Sequence, residues 1–247
     1  MEDNNNKARF ISHKDTAIVT IEQLREIATP GSTRYWRPVS HVELVESIKL
    51  DLSYQGLEVT REQFAVGSNG NKLFGAFDLA EQLVPGVSSA IGFRHSNDKK
   101  IAIQIVAGAR VFVCDNMALS GDITVLKQKH TWGYSLRDLI RRGMDSWRNK
   151  QSNFANSIER MQNTSLSTHE AQALLAKSLY DGILTFQTFK IAYDIFFERA
   201  QRNPEQYPDC AQMTAWGLHN AVTRALKEST PNVAFNSTVG FSKVFGA

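Results

Sequence analysis

The spacing of the hydrophobic residues changes near the middle of the chain. Between residues 57 and 128, apolar residues alternate with polar ones or form short β-branched runs, which is typical of strands. From Ser135 onward they recur every three to four positions, which is typical of amphipathic helices. We therefore predict an α+β protein: an N-terminal, mostly antiparallel sheet with a capping helix, and a C-terminal helical lobe of about four helices.

Local signals place the first elements. Thr20 followed by Gln23 predicts the start of a short helix, and Ser40 followed by Glu43 predicts a capping box that opens a second helix ending at Gly56. Asn69-Gly70 predicts a hairpin turn, because these residues tolerate the positive φ that tight hairpins require. Further strands are predicted at residues 90–95 and 122–128.

Residues 101–114 fit two structures. The alternation of Ile101, Ile103 and Ile105 favours strands, with Gly108 as a break or bulge. The spacing of Ile101, Ile105 and Phe112 also fits one face of a buried helix. We favour strands for this segment.

The second half predicts helices. One long helix begins at Ser135, and a second opens with the capping box of Ser167 and Glu170. A third carries Phe189 and stops before Pro204, and a fourth follows Asp209. We predict four regions: an N-terminal arm with a short helix (residues 1–33), an α+β sheet lobe (34–134), a helical lobe (135–228) and a C-terminal tail (229–247).

Composition and charge indicate the cellular compartment in which we expect the protein. The chain has 247 residues, a formal charge of +3 and two cysteines, Cys114 and Cys210. Two cysteines are too few for a disulfide framework, which favours a reducing compartment. The polar N-terminus lacks the apolar core of a signal peptide, and no apolar run is long enough to span a membrane. We expect a cytoplasmic protein without a membrane partner.

A basic stretch supplies the strongest candidate chemistry. Residues 127–150 carry seven positive and two negative side chains, a net charge of +5 against +3 for the whole chain. Basic side chains neutralise phosphates and aromatic faces stack on unpaired bases, so this stretch suits single-stranded nucleic acid. The alternative is a solvated helix face whose arginines pair with acidic residues elsewhere. The candidate nucleic-acid-binding residues are Lys127, Lys129, Trp132, Arg137, Arg141 and Arg148.

A second polar set lies beside apolar strands. Its residues are Arg94, His95, Asn97, Asp98 and Asn116. If the two segments pair in one sheet, these side chains meet at its end, where Arg94 could contact an anion. The alternative is a turn at residues 96–98 whose side chains bond their own backbone, and we favour it.

No pattern supports a catalytic, metal or cofactor site. Cys114 as a nucleophile would need a base such as His95 or His41, and the spacing demands neither. The six histidines are scattered without the spacing of a metal site. We therefore predict no metal, no cofactor and no assigned enzymatic activity.

Four blocks resemble a known family. They are residues 36–45 (WRPVSHVELV), 92–99 (GFRHSNDK), 108–116 (GARVFVCDN, followed by Ser120-Gly121) and 216–223 (WGLHNAVT). Together they resemble the phage/plasmid-like domain-of-unknown-function family numbered 932. The resemblance implies a gene carried by phages, plasmids or integrated elements, and it implies no activity.

Two functions follow as expectations. The first is nucleic-acid binding in the replication or recombination of a mobile element. The predicted order of helix, β-meander and helix resembles single-strand annealing recombinases of the RecT and Red-beta class, which implies a homo-oligomer. The alternative is a protein-binding module that inhibits a host enzyme or defence system. Its interface would use the aromatic residues Phe186, Phe189, Tyr193, Phe196, Phe197 and Tyr207.

Overall fold

A computed structural model describes residues 9–10, 16–67, 69–109, 112–113, 119–120, 123–226, 237, 240–241 and 244. Its strands are β1 (Arg9–Phe10), β2 (Thr16–Val19), β3 (Val59–Gly67), β4 (Lys72–Val84), β5 (Val87–Ser96), β6 (Ile103–Gly108), β7 (Phe112–Val113), β8 (Leu119–Ser120) and β9 (Ile123–Gln128). Its helices are α1 (Ile21–Glu26), α2 (His41–Tyr54), α3 (Leu136–Asn163), α4 (Thr168–Tyr180), α5 (Phe186–Tyr193), the π-helix Asp194–Arg199, α6 (Ala200–Arg202) and α7 (Ala215–Ala225).

The strands form two sheets. Six of them pair in the order β2-β3-β4-β5-β6-β9, and every neighbouring pair is antiparallel. A smaller sheet has the order β1-β7-β8, with β1 parallel to β7. The predicted α+β class and the mostly antiparallel sheet are confirmed. The preference for a strand over a helix in residues 101–114 is also confirmed, because β6 spans Ile103–Gly108 and ends at the glycine predicted to interrupt it.

The Asn69-Gly70 turn has the predicted conformation, with φ of 54° and 83°. It joins β3 to β4, whose register runs from Val59↔Leu79 to Gly67↔Lys72. These two residues accept the left-handed region that the hairpin requires.

One row of side chains crosses the middle of the six-stranded sheet. Phe64, Gly75, Phe93 and Ile105 are register partners on β3 to β6. The Phe93 ring lies across Gly75, where an added Cβ would be 2.0 Å from Phe93 Cζ. Gly75 therefore provides the space that the buried Phe93 ring occupies.

The helix starts test the capping predictions. At α1, Thr20 and Gln23 form both hydrogen bonds of a capping box, and at α4 Ser167 and Glu170 do the same. At α2 the predicted box is wrong, since Ser40 makes no side-chain cap hydrogen bond. The next residue, His41, is buried and bonded to residues distant in sequence, so tertiary contacts fix this end of α2.

The chain divides into two compact units. The first unit is Asn6–Gln151, and the second is built from Ser152–Ala247. The long helix α3 contributes its first half to one and its second half to the other. The four predicted region boundaries stay predictions, and most of the predicted tail lies outside the described residues.

The second unit is helical around an apolar core. Leu175, Phe196, Leu218 and Val222 are among its buried residues. The predicted third helix is divided there into α5, the π-helix and α6. Among the described residues, no helix is both long and apolar enough to span a membrane.

Candidate functional site

Three loop segments of the first unit are tied together by hydrogen bonds. Trp132 Nε1 donates to the carbonyl oxygen of Thr33 at 2.9 Å, and the backbone N–H of Arg37 donates to the carbonyl of His130 at 3.3 Å. Asn97 Nδ2 donates to the carbonyl of Val39 at 3.1 Å. Residues 33–39, 97–100 and 129–132 therefore form one surface.

Aromatic rings and cations alternate on this surface. Arg34 lies over the Tyr35 ring at 5.1 Å from its centroid, Lys99 over Trp36 at 5.0 Å and Arg37 over Trp132 at 5.7 Å. Tyr35 is 74% exposed and Trp132 is 53% exposed. We call this the aromatic–basic surface and define it by Arg34, Tyr35, Trp36, Arg37, Lys99, Lys100, Lys129 and Trp132.

Its charge is strongly positive. The surface has five cationic side chains, and the carboxylate of Asp98 lies beside them. Asp98 accepts a hydrogen bond from the backbone N–H of Lys100 at 3.1 Å and lies 3.8 Å from Lys100 Nζ. Burial acts to raise the pKa of Asp98, but hydrogen bonds from Ser96 and from the Lys100 backbone hold it below its ordinary value. The carboxylate is thus engaged within its own turn, and the remaining cations face solvent.

A cluster of three buried histidines lies in the same part of the first unit. His41 Nδ1 and His95 Nε2 are 2.8 Å apart, and His41 Nε2 is 2.7 Å from the carbonyl oxygen of Gly70. The ring centroids of His95 and His130 are 5.3 Å apart. Because the Gly70 carbonyl only accepts, His41 Nε2 carries a proton. Neutral His41 then accepts at Nδ1 from His95 Nε2–H.

Burial sets the protonation of this histidine cluster. It lowers the pKa of His41, and it lowers the pKa of His95 well below its ordinary value, with help from the neighbouring His41 and His130. Burial also lowers the pKa of His130, and the nearby backbone groups of Arg37 and Ile101 act to raise it without cancelling the effect of burial. The cluster is therefore neutral at physiological pH.

The cluster does not form a metal site. In the described part of the chain, no group of three or more His, Cys, Asp or Glu side chains could hold a metal ion. Its hydrogen bonds instead connect the start of α2, the β3–β4 turn and the end of β5.

The predicted arginines of α3 mostly have acidic partners. Arg141 pairs with Asp138 at 2.8 Å, and Arg148 pairs with Glu81 at 2.8 Å. Arg137 lies over the ring of Tyr54, 5.8 Å from its centroid. Lys127 and Lys129 have exposed side chains that make no ion pair with a described residue, and Trp132 belongs to the aromatic–basic surface.

A groove runs between α2 and the start of α3. Its volume is ≈ 880 Å³. Arg37 lines this groove and also belongs to the aromatic–basic surface. Arg137 lines both this groove and a second groove, whose volume is ≈ 630 Å³. The lining includes Val42, Glu43, Glu46, Leu50, Tyr134 and Leu136. We call the larger one the α2 groove.

The carboxylates of the α2 groove differ in their partners. Glu46 is paired with Arg25 at 2.8 Å. Glu43 makes no hydrogen bond or ion pair with another described residue. Burial raises the pKa of Tyr134. The charge of Arg37 acts to lower this pKa and the charge of Glu43 acts to raise it, so both charges lie near the Tyr134 hydroxyl group. That hydroxyl is buried and has no hydrogen-bond partner among the described residues.

In the second groove the carboxylates balance the arginines. Its lining includes Asp51, Asp138 and Asp145 together with Arg137 and Arg141. Burial raises the pKa of Asp51, and the neighbouring Asp145 raises it further. The basic stretch of the sequence is therefore partly neutralised along α3.

The residues of the predicted polar pocket lie on different sides of β5. Arg94 donates from Nε to Gln104 Oε1 across the sheet at 2.8 Å, whereas His95 points to the other face and joins the histidine cluster. Asn97 and Asp98 bond within and beside their turn. Asn116 and Cys114 lie outside the described residues.

The aromatic residues of the second unit divide by exposure. Phe196 is buried, whereas Phe189, Tyr193, Phe197 and Tyr207 pack against the core while partly buried. Phe186 is 69% exposed, and its ring stacks on that of Phe189 with 6.4 Å between the ring centroids. Most of the aromatic set that a protein interface would use is thus engaged in the core.

Sequence reasoning missed six of the eight residues of the aromatic–basic surface. Arg34, Tyr35, Trp36 and Arg37 alternate basic and aromatic side chains in one run, and this signal was present in the sequence. Lys99 and Lys100 gave no such signal. Their proximity to the run depends on where the β5–β6 turn lies in three dimensions.

Comparison with known proteins places the chain beside a protein family. The model of a family described as "Domain of unknown function (DUF932)" matches residues 32–237. No curated protein and no solved structure matches the chain.

Proposed function

The chain belongs to the DUF932 family, whose description names no activity, and from the geometry of its first unit we propose that the protein binds single-stranded nucleic acid through the aromatic–basic surface. The observation that carries the proposal is the alternation of exposed rings with cations on three hydrogen-bonded loops. Cations neutralise phosphates, and exposed rings stack on bases that are not paired.

The arrangement favours a single strand over a duplex. A duplex keeps its base faces stacked inside the helix, so exposed rings such as Tyr35 and Trp132 gain little from it. In a single strand the bases are free to replace the guanidinium groups that now lie over these rings. Single strands are exposed during replication and recombination, and we propose that the protein acts there.

Removing an exposed ring tests the stacking part of the proposal. We expect Tyr35→Ala to weaken binding to a labelled single-stranded oligonucleotide about tenfold, because stacking on an aromatic ring contributes roughly 1–3 kcal/mol per base. Fluorescence anisotropy at low salt measures the dissociation constant. The control is Tyr180→Ala, which removes a ring that is 91% exposed in the second unit. Equal affinities for both variants would contradict stacking at Tyr35.

Reversing two charges tests the phosphate contacts. We expect Lys99→Glu/Lys129→Glu to weaken binding and to reduce the slope of log K against log salt by about 1.4, since each lost phosphate contact accounts for about 0.7 on a single strand. Lys150→Glu/Lys190→Glu makes the same change in net charge at two other exposed lysines. The proposal predicts a much smaller change for that control.

A third pair of substitutions locates the strand. Arg137→Glu/Arg141→Glu alters the arginines of α3, which lie over Tyr54 and beside Asp138. If this variant loses binding and Lys99→Glu/Lys129→Glu does not, the strand follows α3 instead. If wild-type protein binds no oligonucleotide even at low salt, nucleic-acid binding is wrong, and a protein partner becomes the function to test.

A further inference from the structure

The α2 groove adjoins the aromatic–basic surface at Arg37 and has a different chemical character. Its walls include the apolar side chains of Val42, Leu50 and Leu136, and its polar groups include the carboxylates of Glu43 and Glu46. Arg37 and Arg137 also line the groove and can contact a phosphate, whereas its apolar side chains suit a base, which is planar, largely apolar and uncharged.

The carboxylates also select among bases. Glu46 is held by Arg25, which leaves Glu43 as the carboxylate that makes no hydrogen bond or ion pair with another described residue. A carboxylate only accepts hydrogen bonds, so it favours a base edge that donates and disfavours one that presents a carbonyl oxygen. Cytosine donates from its exocyclic amino group at position 4, whereas uracil and thymine present an oxygen there. Uracil and thymine donate only from N3–H, which lies between two carbonyl oxygens that a carboxylate repels.

We infer that the α2 groove receives one unpaired base of the bound strand and that Glu43 selects a base with an exocyclic amino group, so that cytosine is preferred over uracil and thymine. This inference rests on the proposed function, because the strand reaches the groove from the aromatic–basic surface. Arg37, which lies at the groove and over Trp132, is placed to hold a phosphate between them. The duplex is excluded, since its base edges are already paired.

The groove has room for this occupant. Its volume of ≈ 880 Å³ lies within the range of small-molecule sites, which hold ligands larger than one base. Tyr134 lines it together with Val42 and Leu136, and these side chains supply surface against which a planar base can pack.

The test compares two ligands and three proteins. Anisotropy titrations with labelled 15-nucleotide oligo-dC and oligo-dU at one salt concentration compare bases that differ mainly at positions 3 and 4 and lack the thymine methyl group. We expect wild-type protein to bind oligo-dC about tenfold more tightly, the discrimination that one well-placed base contact gives. In Glu43→Gln the amide both donates and accepts, so oligo-dU should bind more tightly than it binds wild-type protein, and the preference should disappear.

A gain of oligo-dU binding has a specific cause, because a misfolded variant does not gain affinity. Glu58→Gln removes the same charge from an exposed position outside the groove, and it should keep the tenfold preference. Equal binding of both oligonucleotides by wild-type protein would overturn the selection by Glu43 and leave the proposed function standing. A preference that persists in Glu43→Gln would also overturn it. Failure of both oligonucleotides to bind would overturn the inference together with the proposed function.

Discussion

Acidification from about pH 6.5 to about pH 5 is expected to lower the free energy of unfolding steeply, because the first unit buries three histidines that stay neutral. Burial lowers the pKa of His41, His95 and His130 in the folded protein, whereas the unfolded chain protonates them near the ordinary pKa of 6.5. The neutral histidines contribute fully to stability above that ordinary pKa. This contribution is lost as the pH falls below 6.5 towards the lower pKa values of the folded protein.

The expected slope follows from proton linkage. Each histidine that stays neutral in the folded state lowers stability by about 1.4 kcal/mol per pH unit, or about 4 kcal/mol per unit if all three do. Most carboxylates titrate at lower pH, so the histidines dominate this window. The groups that shift the pKa of His95 are His41 and His130, and no carboxylate is among them. Protonation of the cluster therefore has no compensating ion pair.

Urea denaturation at several pH values measures how the free energy of unfolding depends on pH. The variant His95→Gln tests how much of this slope comes from His95. The glutamine amide can still donate to His41 Nδ1, but it does not titrate. We expect the variant to have a shallower slope, by about 1.4 kcal/mol per pH unit, below about pH 6.5. His169→Gln makes the same substitution at an exposed position of the second unit and is the control. Identical slopes for wild type and His95→Gln would show that His95 does not stay neutral.

The sequence predicted those elements whose signals are local. The Asn69-Gly70 turn and the capping boxes of Thr20 and Ser167 depend on residues within three positions, and each has the expected geometry. The box at Ser40 had the same signal and does not form. There the hydrogen bonds of His41 to His95 and Gly70 fix the start of α2, so tertiary contacts override the local preference.

The candidate surface could be predicted only in part, for the same reason. Lys129 and Trp132 were chosen because basic and aromatic residues are close in the sequence. Arg37 approaches Trp132, and Lys99 approaches Trp36, because separate loops are tied together. The histidine cluster was also missed, since His41 and His95 are 54 positions apart. No periodicity links such residues, and only the tertiary packing of the loops, α2 and β5 brings them together.

A large packing effect is expected at Gly75. An added Cβ would be 2.0 Å from Phe93 Cζ and 2.1 Å from Cε2, so Gly75→Ala forces a fully buried ring out of its position. The ring also contacts Phe77, at a centroid distance of 5.0 Å, and Phe64, at 6.3 Å. Overpacking of a core typically costs about 1–3 kcal/mol, and we expect the upper end here because the ring has no free side to move into.

A double-mutant cycle assigns the effect to the Phe93 ring. Phe93→Leu alone should destabilise the protein because it leaves a cavity, yet Gly75→Ala/Phe93→Leu should be more stable than the sum of the two single changes by more than about 1 kcal/mol. Gly31→Ala is the control, since nothing lies within 4 Å of the added Cβ and its effect should stay within about 0.5 kcal/mol. Urea denaturation midpoints, read at matched m-values, measure all four variants. Additive effects would mean that the cost of Gly75→Ala arises in the backbone of β4, and that Phe93 does not require the glycine.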